Sequence, residues 1–358
     1  MRLSPGRDKS IMFRRNSAVL GHRAVRHCVF LVWALVASLG AAADPDRLHA
    51  QALKVPYAAQ SATYAPLWIA QDAGLFKKQG LTVEIIYIPA GSVIVPALLS
   101  GEVAIANMSA APAIAAWARG ADLVLVAVGS HRLLHGVMTS PRFKKPEDLK
   151  ERKIGSDRYG SLSDLALREA LRHFKLVPDK DVAILQIGGL PERLAALKAG
   201  NIDGAMLTGD SKFQAERMGF HAVVDLTQLP IYYPSSSVIV RKHYLQTNRE
   251  GVKKFLKGWV EGIKILKTDK NLSLSVLGKY LKTADRSLLD QVYETYRTVN
   301  ERIPYADSKA IGFAIERLIP KPSEGKKVHA DDFIDNSLLQ ELEKEGFIRE
   351  LYAATSIR

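Results

Sequence analysis

LLSGEVAI at residues 98–105 and LKAGNIDG at residues 197–204 carry the same punctuation, Leu98-x-x-Gly101-x-Val103 against Leu197-x-x-Gly200-x-Ile202, at an offset of 99 residues. The offset holds outward from there. Val83-Glu84-Ile85 faces Val182-Ala183-Ile184, Ser61-Ala62 faces Gly160-Ser161, and Lys54-Val55 faces Lys153-Ile154. Each copy reads as strand, small-residue loop, helix, strand, glycine loop, helix, strand. The strands fall at 53–58, 81–88 and 103–106 in the first copy and at 153–155, 181–187 and 203–207 in the second. Gly80, Gly101 and Gly200 stand where a helix ends in a left-handed cap. Strands alternating with helices make mostly parallel sheets joined by crossovers, so the chain is expected to form an α/β fold of two similar lobes. Two unrelated βαβ units could share such punctuation, but their spacing is loose. One offset through four elements favours duplication.

After Tyr232-Tyr233-Pro234, residues 235–240 read as a strand returning to the first lobe. Helices follow. Val252, Phe255, Leu256, Trp259, Val260, Ile263 and Leu266 recur at helical spacing, as do Leu288, Leu289, Val292, Tyr293 and Tyr296, and such stripes mark packing faces. Residues 320–330 are a Pro- and Gly-punctuated loop, and 336–345 a last helix closed by Gly346. The expected organisation is a signal peptide over 1–43, the first part of lobe 1 over 44–135, lobe 2 over 136–234, and the return to lobe 1 with C-terminal helices over 235–358. Crossings between lobes are expected near 132–139 and 229–238.

Residues 1–43 combine a basic stretch (Arg2, Arg7, Lys9, Arg14, Arg15, Arg23, Arg26), an apolar run of twelve from Cys28 to Leu39, and the small residues Ala41-Ala42-Ala43. This is the pattern of a secretory signal cut after Ala43. The run is shorter than the roughly 18 to 20 residues of a membrane span. Arg14-Arg15 leaves a twin-arginine route open, although the residues after it fit the general route. Cutting there removes seven cations and Asp8, lowering the formal charge from +13 to +7. The remaining cations are spread along helices and do not interleave with aromatics, so no nucleic-acid surface is expected. Cys28 is the only cysteine and lies in the signal, preceded by Val25-Arg26-His27 rather than a lipidation motif. The expected product is a soluble periplasmic monomer without disulfides.

In open α/β sheets, ligands collect beyond the carboxyl ends of the strands, where backbone N–H groups and helix dipoles meet them. Small and polar residues stand there at 61–64, 91–92, 107–109, 129–131, 157–161, 188–189 and 208–210. From these the candidate ligand contacts are Ser61, Thr63, Tyr64, Gly91, Ser92, Asn107, Ser109, His131, Arg158, Tyr159, Ser161, Gly189 and Asp210, with Tyr232 from the following loop. Arg158 can anchor an acidic group or pair with Asp157. Asp157 and Asp210 can cap helices or bind ligand. Tyr64, Tyr159 and Tyr232 are placed to stack on a ligand, whereas Trp68 and Trp117 read as packing. No Gly-Lys-Ser/Thr phosphate loop, H-E-x-x-H or G-x-S-x-G occurs. His131 and His135 are four apart, but a strand does not put that spacing to use as a helix does, and no third ligand stands close by. No catalytic residues, metal or cofactor are expected.

The run Tyr64-Ala65-Pro66-Leu67-Trp68-Ile69-Ala70, followed by Gly74-Leu75-Phe76-Lys77-Lys78-Gln79-Gly80-Leu81-x-Val83-Glu84, resembles the nitrate, sulfonate and taurine class of binding proteins of ABC importers. That class shares its domain with the thiamine-pyrimidine synthase family. Residues 97–104 (ALLSGEVA), 335–339 (DNSLL) and 346–348 (GFI) resemble it too, so the likeness runs over nearly all of 52–352. The resemblance implies a type II periplasmic binding fold closing on a small polar or anionic molecule. It also implies delivery to an ABC transporter permease with a separate ATPase. Two other readings stand beside it. A thiamine-pyrimidine-synthase-like enzyme would carry a cysteine-rich motif, and a soluble sensor would hand its ligand to a signalling partner.

Overall fold

The computed structural model describes residues 52–229, 231–318 and 329–353. The signal segment, its cleavage site after Ala43, Cys28 and most of the 320–330 loop lie outside them. The first half runs β1 (Leu53–Tyr57), α1 (Ala65–Asp72), α2 (Leu75–Lys78), β2 (Val83–Tyr87), α3 (Gly91–Ser100), β3 (Ile105–Met108), α4 (Ala110–Trp117) and β4 (Leu123–Arg132). Then come β5 (His135–Thr139), β6 (Lys153–Ser156), α5 (Leu162–His173), β7 (Ala183–Gln186), α6 (Leu190–Lys198), β8 (Gly204–Thr208), α7 (Gly209–Arg217) and β9 (His221–Asp225). After β10 (Tyr232–Arg241) the chain is helical: α8 (Lys242–Thr247), α9 (Arg249–Thr268), α10 (Lys270–Leu281), α11 (Arg286–Val299), α12 (Ser308–Leu318), α13 (Ser337–Lys344) and α14 (Phe347–Ala353).

Two five-stranded sheets result, ordered β2-β1-β3-β10-β4 and β7-β6-β8-β5-β9. In the first, β1 is parallel to β2 and β3, and β10 runs antiparallel to both β3 and β4. In the second, β6 is parallel to β7 and β8, and β5 runs antiparallel to both β8 and β9. The two orders are the same order written twice, and the 99-residue echo falls on matching elements: α3 and α6 start at Gly91 and Leu190, β3 and β8 at Ile105 and Gly204. Gly101 closes α3 at φ 83°, and Gly200 follows α6 at φ 73°, the left-handed caps that their types suggested. The antiparallel strand of each sheet is the one the chain brings from the other half. It crosses once between Arg132 and His135 and returns between Asp225 and Tyr232.

The C-terminal helices pack as their stripes require. On α9 the buried side is Val252, Phe255, Leu256, Trp259, Val260, Ile263 and Leu266, and on α11 it is Leu288, Leu289, Val292, Tyr293 and Tyr296. Phe255 stacks on Phe76 with ring centroids 5.0 Å apart. Beside them Gly258 and Gly262 give α9 a flat face, since a Cβ at Gly262 would collide with the Pro66 carbonyl oxygen of α1. Gly346 does not end the fold, as its place after the last helical stripe had suggested. It turns the chain at φ 82° into the further helix α14.

The crossings hold two buried imidazoles. His131 stacks on Tyr232 across the strand pair, with ring centroids 4.8 Å apart and planes 13° from parallel. His135 opens β5, and both side chains are buried. Burial, which disfavours the charged ring, pushes His131 down to about 4 and His135 down to about 3; Arg193 and Lys212 add to the second shift.

Two predictions follow from this packing. Gly262→Ala should cost about 1 to 3 kcal/mol of unfolding free energy through overpacking against α1. Gly251→Ala, where a Cβ meets open space on the same helix, should gain up to about 1 kcal/mol. Urea titration of the two variants checks the pair, and equal effects would show that α9 does not approach α1 so closely. The histidines make the fold acid-sensitive. A depressed folded pKa means that stability is present above the unfolded pKa of about 6.5 and is lost as pH falls through the window down to about 4 and about 3. Between pH 7 and pH 5 each imidazole should withdraw about 2 kcal/mol. Urea unfolding at the two pH values should show His131→Phe losing about 2 kcal/mol less than wild type, the Asp210 carboxyl, raised to about 6, acting in the opposite direction in both; an equal pH slope would contradict the burial of that ring.

Candidate ligand-binding site

Between the two sheets, where the carboxyl ends of their parallel strands face each other, lies a pocket of about 450 Å³, mouth included. The first sheet contributes Ala58 and Ala59 after β1, Ala90 and Gly91 after β2, and Ser109 after β3, with Ser235 from β10. The second contributes Asp157 after β6, Leu190 after β7, Thr208 at the end of β8, and His135 from β5. Residues from the first turns or caps of six helices therefore share one wall. They are Thr63 and Tyr64 leading into α1, Gly91 of α3, Ser109 before α4, Ser161, Leu162 and Ser163 of α5, Leu190 of α6, and Thr208 before α7. Each helix start carries unpaired N–H groups and a partial positive charge, so their convergence favours an anion. Ala90 is buried at φ 71°, a conformation that costs a residue with a Cβ and is otherwise left to glycine. It aims the start of α3 at the pocket.

Two opposite charges line the second-sheet side. Arg193 is 1% exposed. Its Nε donates to the Gly189 carbonyl at 3.2 Å and its Nη1 to the Met206 carbonyl at 2.6 Å, which fixes the guanidinium without neutralising it. Burial lowers its pKa, and Asp157 partly offsets this. Asp157 is also buried, its pKa raised by desolvation and held back by Arg193, and its Oδ1 has no hydrogen-bond partner. His135 Nδ1 and Thr208 Oγ1 are likewise buried without partners. Buried polar atoms in folded proteins are almost always satisfied. Three such atoms and a buried cation line one pocket.

The structure distributes the residues expected from sequence as follows. Ser61, Thr63, Tyr64, Gly91, Ser109 and Ser161 share the pocket wall. Ser161 also caps α5, accepting from the Asp164 N–H at 3.3 Å. Ser92 is half-buried on α3 outside the wall. Asn107 is fully buried inside the first sheet, where its Nδ2 donates to the Ser237 carbonyl at 2.9 Å. His131 and Tyr232 stack on each other at the crossings. Arg158 is exposed, and Tyr159, 51% exposed, lies under the Arg168 guanidinium, 5.5 Å from the ring centroid. Gly189 caps α6, where a Cβ would come within 2.7 Å of the Tyr87 hydroxyl. Asp210 is outside the pocket wall and engaged by first-sheet groups.

Arg193, His135, Ala90 and Ser235 line the pocket but were not among the expected contacts, whereas Asp157, open to capping or ligand binding, and Thr208, within the expected 208–210 segment, do line it. Arg193 had left a mark in the sequence: it falls among Leu190, Leu194 and Leu197 on the buried side of α6, where a charge is out of place. Its counterpart 99 residues earlier is the buried Ile94, and that of Asp157 is Ala58. The charges of the site thus come from the second copy alone. Among the described residues no group of three or more His, Cys, Asp or Glu side chains is arranged to hold a metal, and no helix is long and apolar enough to cross a membrane.

Known proteins resemble this chain in sequence and fold. The chain is 30% identical to the taurine-binding periplasmic protein of Escherichia coli over 60% of its own length and 66% of that relative, a little short of two thirds. Its fold superposes on the periplasmic aliphatic sulphonate binding protein SsuA of Escherichia coli with a TM-score of 0.65 at 21% identity, covering 81% of this chain and 99% of that one. It superposes on the periplasmic nitrate-binding protein NrtA of Synechocystis PCC 6803 with a TM-score of 0.68 at 14% identity, covering 83% and 89%. The architecture is therefore the two-sheet periplasmic binding protein fold. Residues 61–270, more than half of the chain, match the model of the family described as NMT1/THI5 like, and the chain belongs to that family.

Proposed function

We propose that the chain is the substrate-binding component of an ABC importer, a receptor that captures a small organic anion between two lobes and presents it to a membrane permease served by a separate ATPase. The observation that carries this reading is the set of six helix starts and the buried Arg193 around a pocket with unpartnered Asp157, His135 and Thr208 atoms. Such a site binds and orients. The sequence beyond residue 43 contains no cysteine for a synthase-like metal motif. The similarity to taurine-, sulphonate- and nitrate-binding proteins supports the same class of ligand. In this reading residues 1–43 direct export to the periplasm, the expected crossings near 132–139 and 229–238 contain the hinges, and the mature chain works as a monomer.

The charge pattern narrows the ligand. Helix starts and Arg193 take an anionic head, while the unpartnered Asp157 Oδ1 calls for a hydrogen-bond donor, best an ammonium, because a buried acceptor without a partner is costly. A small zwitterion supplies both.

Isothermal calorimetry of the mature protein with taurine, ethanesulfonate and nitrate tests this. Taurine should bind most tightly. Asp157→Asn should weaken taurine by about 10- to 100-fold, the range for a lost charged hydrogen bond, and leave ethanesulfonate unchanged or tighter. Arg193→Gln should weaken both. Taurine binding that is indifferent to Asp157→Asn would remove the zwitterion, and failure of all three ligands to bind would remove the anion receptor.

A further inference from the structure

One carboxylate ties the two halves together beside the pocket. Asp210, 1% exposed at the start of α7, receives three donors on Oδ1: the Ser61 hydroxyl at 2.8 Å, the Tyr296 hydroxyl at 3.3 Å and the Ala62 N–H at 3.3 Å. The Ser61 and Tyr296 hydroxyls are themselves 3.2 Å apart. Asp210 follows β8 of the second sheet, whereas Ser61 and Ala62 follow β1 of the first. Tyr296 is on α11, which packs with α9 and α10 and also touches β4 of the first sheet. The approach leaves no spare room, because a Cβ at Gly209 would collide with the Tyr296 hydroxyl. Only glycine lets the first turn of α7 sit flat on that ring.

We propose that Asp210, Ser61 and Tyr296 form a latch between the two halves, in which Asp210 is a positioning residue that sets the balance of closed and open forms without touching the ligand. This rests on the receptor reading above. Two other ion pairs span the same halves, Arg217–Asp285 and Arg317–Glu169. Both are solvent-exposed at their cationic ends, where such pairs are worth little. The latch is buried, and its three hydrogen bonds go to a carboxylate, the stronger class of acceptor. Opening the cleft must therefore break a three-donor site, and the closed form is favoured before any ligand enters. Apparent affinity scales with the fraction of protein in the binding-competent form. Weakening the latch consequently lowers affinity by one common factor for every ligand, whatever its charge, unlike a change at Asp157 or Arg193.

The test uses the mature full-length chain with Asp210→Asn and, as the milder change, Tyr296→Phe, which deletes one hydroxyl. Small-angle scattering of unliganded protein should show a larger radius of gyration for both variants than for wild type, with Asp210→Asn the larger of the two. Calorimetry should show Asp210→Asn weakening taurine and ethanesulfonate by the same factor, about 5- to 50-fold. Unequal factors for the two probes would mean that Asp210 contacts ligand and would overturn the latch, as would unliganded radii identical to wild type. If Asp210→Asn fails to fold, Tyr296→Phe carries both measurements. The scattering arm needs no ligand, so the latch stands or falls even where neither sulfonate binds.

Discussion

Each sheet of this protein is completed by a strand that comes from the other half. β10 fills the place between β3 and β4, and β5 fills the place between β8 and β9. Without them each sheet would split and leave unpaired strand edges in its interior, which a folded chain cannot leave dry. The exchange fixes much else. It forces exactly two chain crossings between the sheets among the described residues, places them side by side, and turns the carboxyl ends of both sets of parallel strands toward one pocket. The stacking of His131 on Tyr232 joins the two crossings to each other.

On that frame the two halves play unlike parts. The first supplies helix starts, small side chains and backbone, including Ala90 in its strained conformation. The second supplies the charges, Arg193 and Asp157, at positions where the first has Ile94 and Ala58. Both halves supply helix starts to the pocket, but the duplicated scaffold has diverged so that only the second places buried charges there. Holding both charges buried without a salt bridge between them is expensive. In the receptor reading proposed above, a ligand that pairs with each would relieve the cost.

Burial explains why the polar groups of this protein matter out of proportion to their number. The imidazoles at the crossings are kept neutral by desolvation, and the same effect raises Asp210 to about 6 despite the hydrogen bonds from Ser61, Ala62 and Tyr296. In each case the group sits where the two halves meet. Motion between the halves would change its exposure to water, and with it its charge.

Sequence alone determined the duplication, the strands and helices inside each copy, the glycine caps and the packing stripes of α9 and α11, because these are local and periodic properties. It also located the pocket in outline: strand ends and helix starts are fixed by topology, and Ser61, Thr63, Tyr64, Gly91, Ser109 and Ser161 do lie on its wall. What it did not determine is the direction and depth of side chains. Arg158 and Tyr159 stand at the right strand end yet face solvent, while Asp157, one residue earlier, faces the pocket. Asn107 is drawn into the sheet by the Ser237 carbonyl 130 residues away, and Asp210 is engaged by Ser61 and Tyr296 from 149 and 86 residues away. Such partnerships are set by which segments the fold brings together. A hydrogen bond between distant residues leaves no period in the chain, so only the tertiary structure decides it.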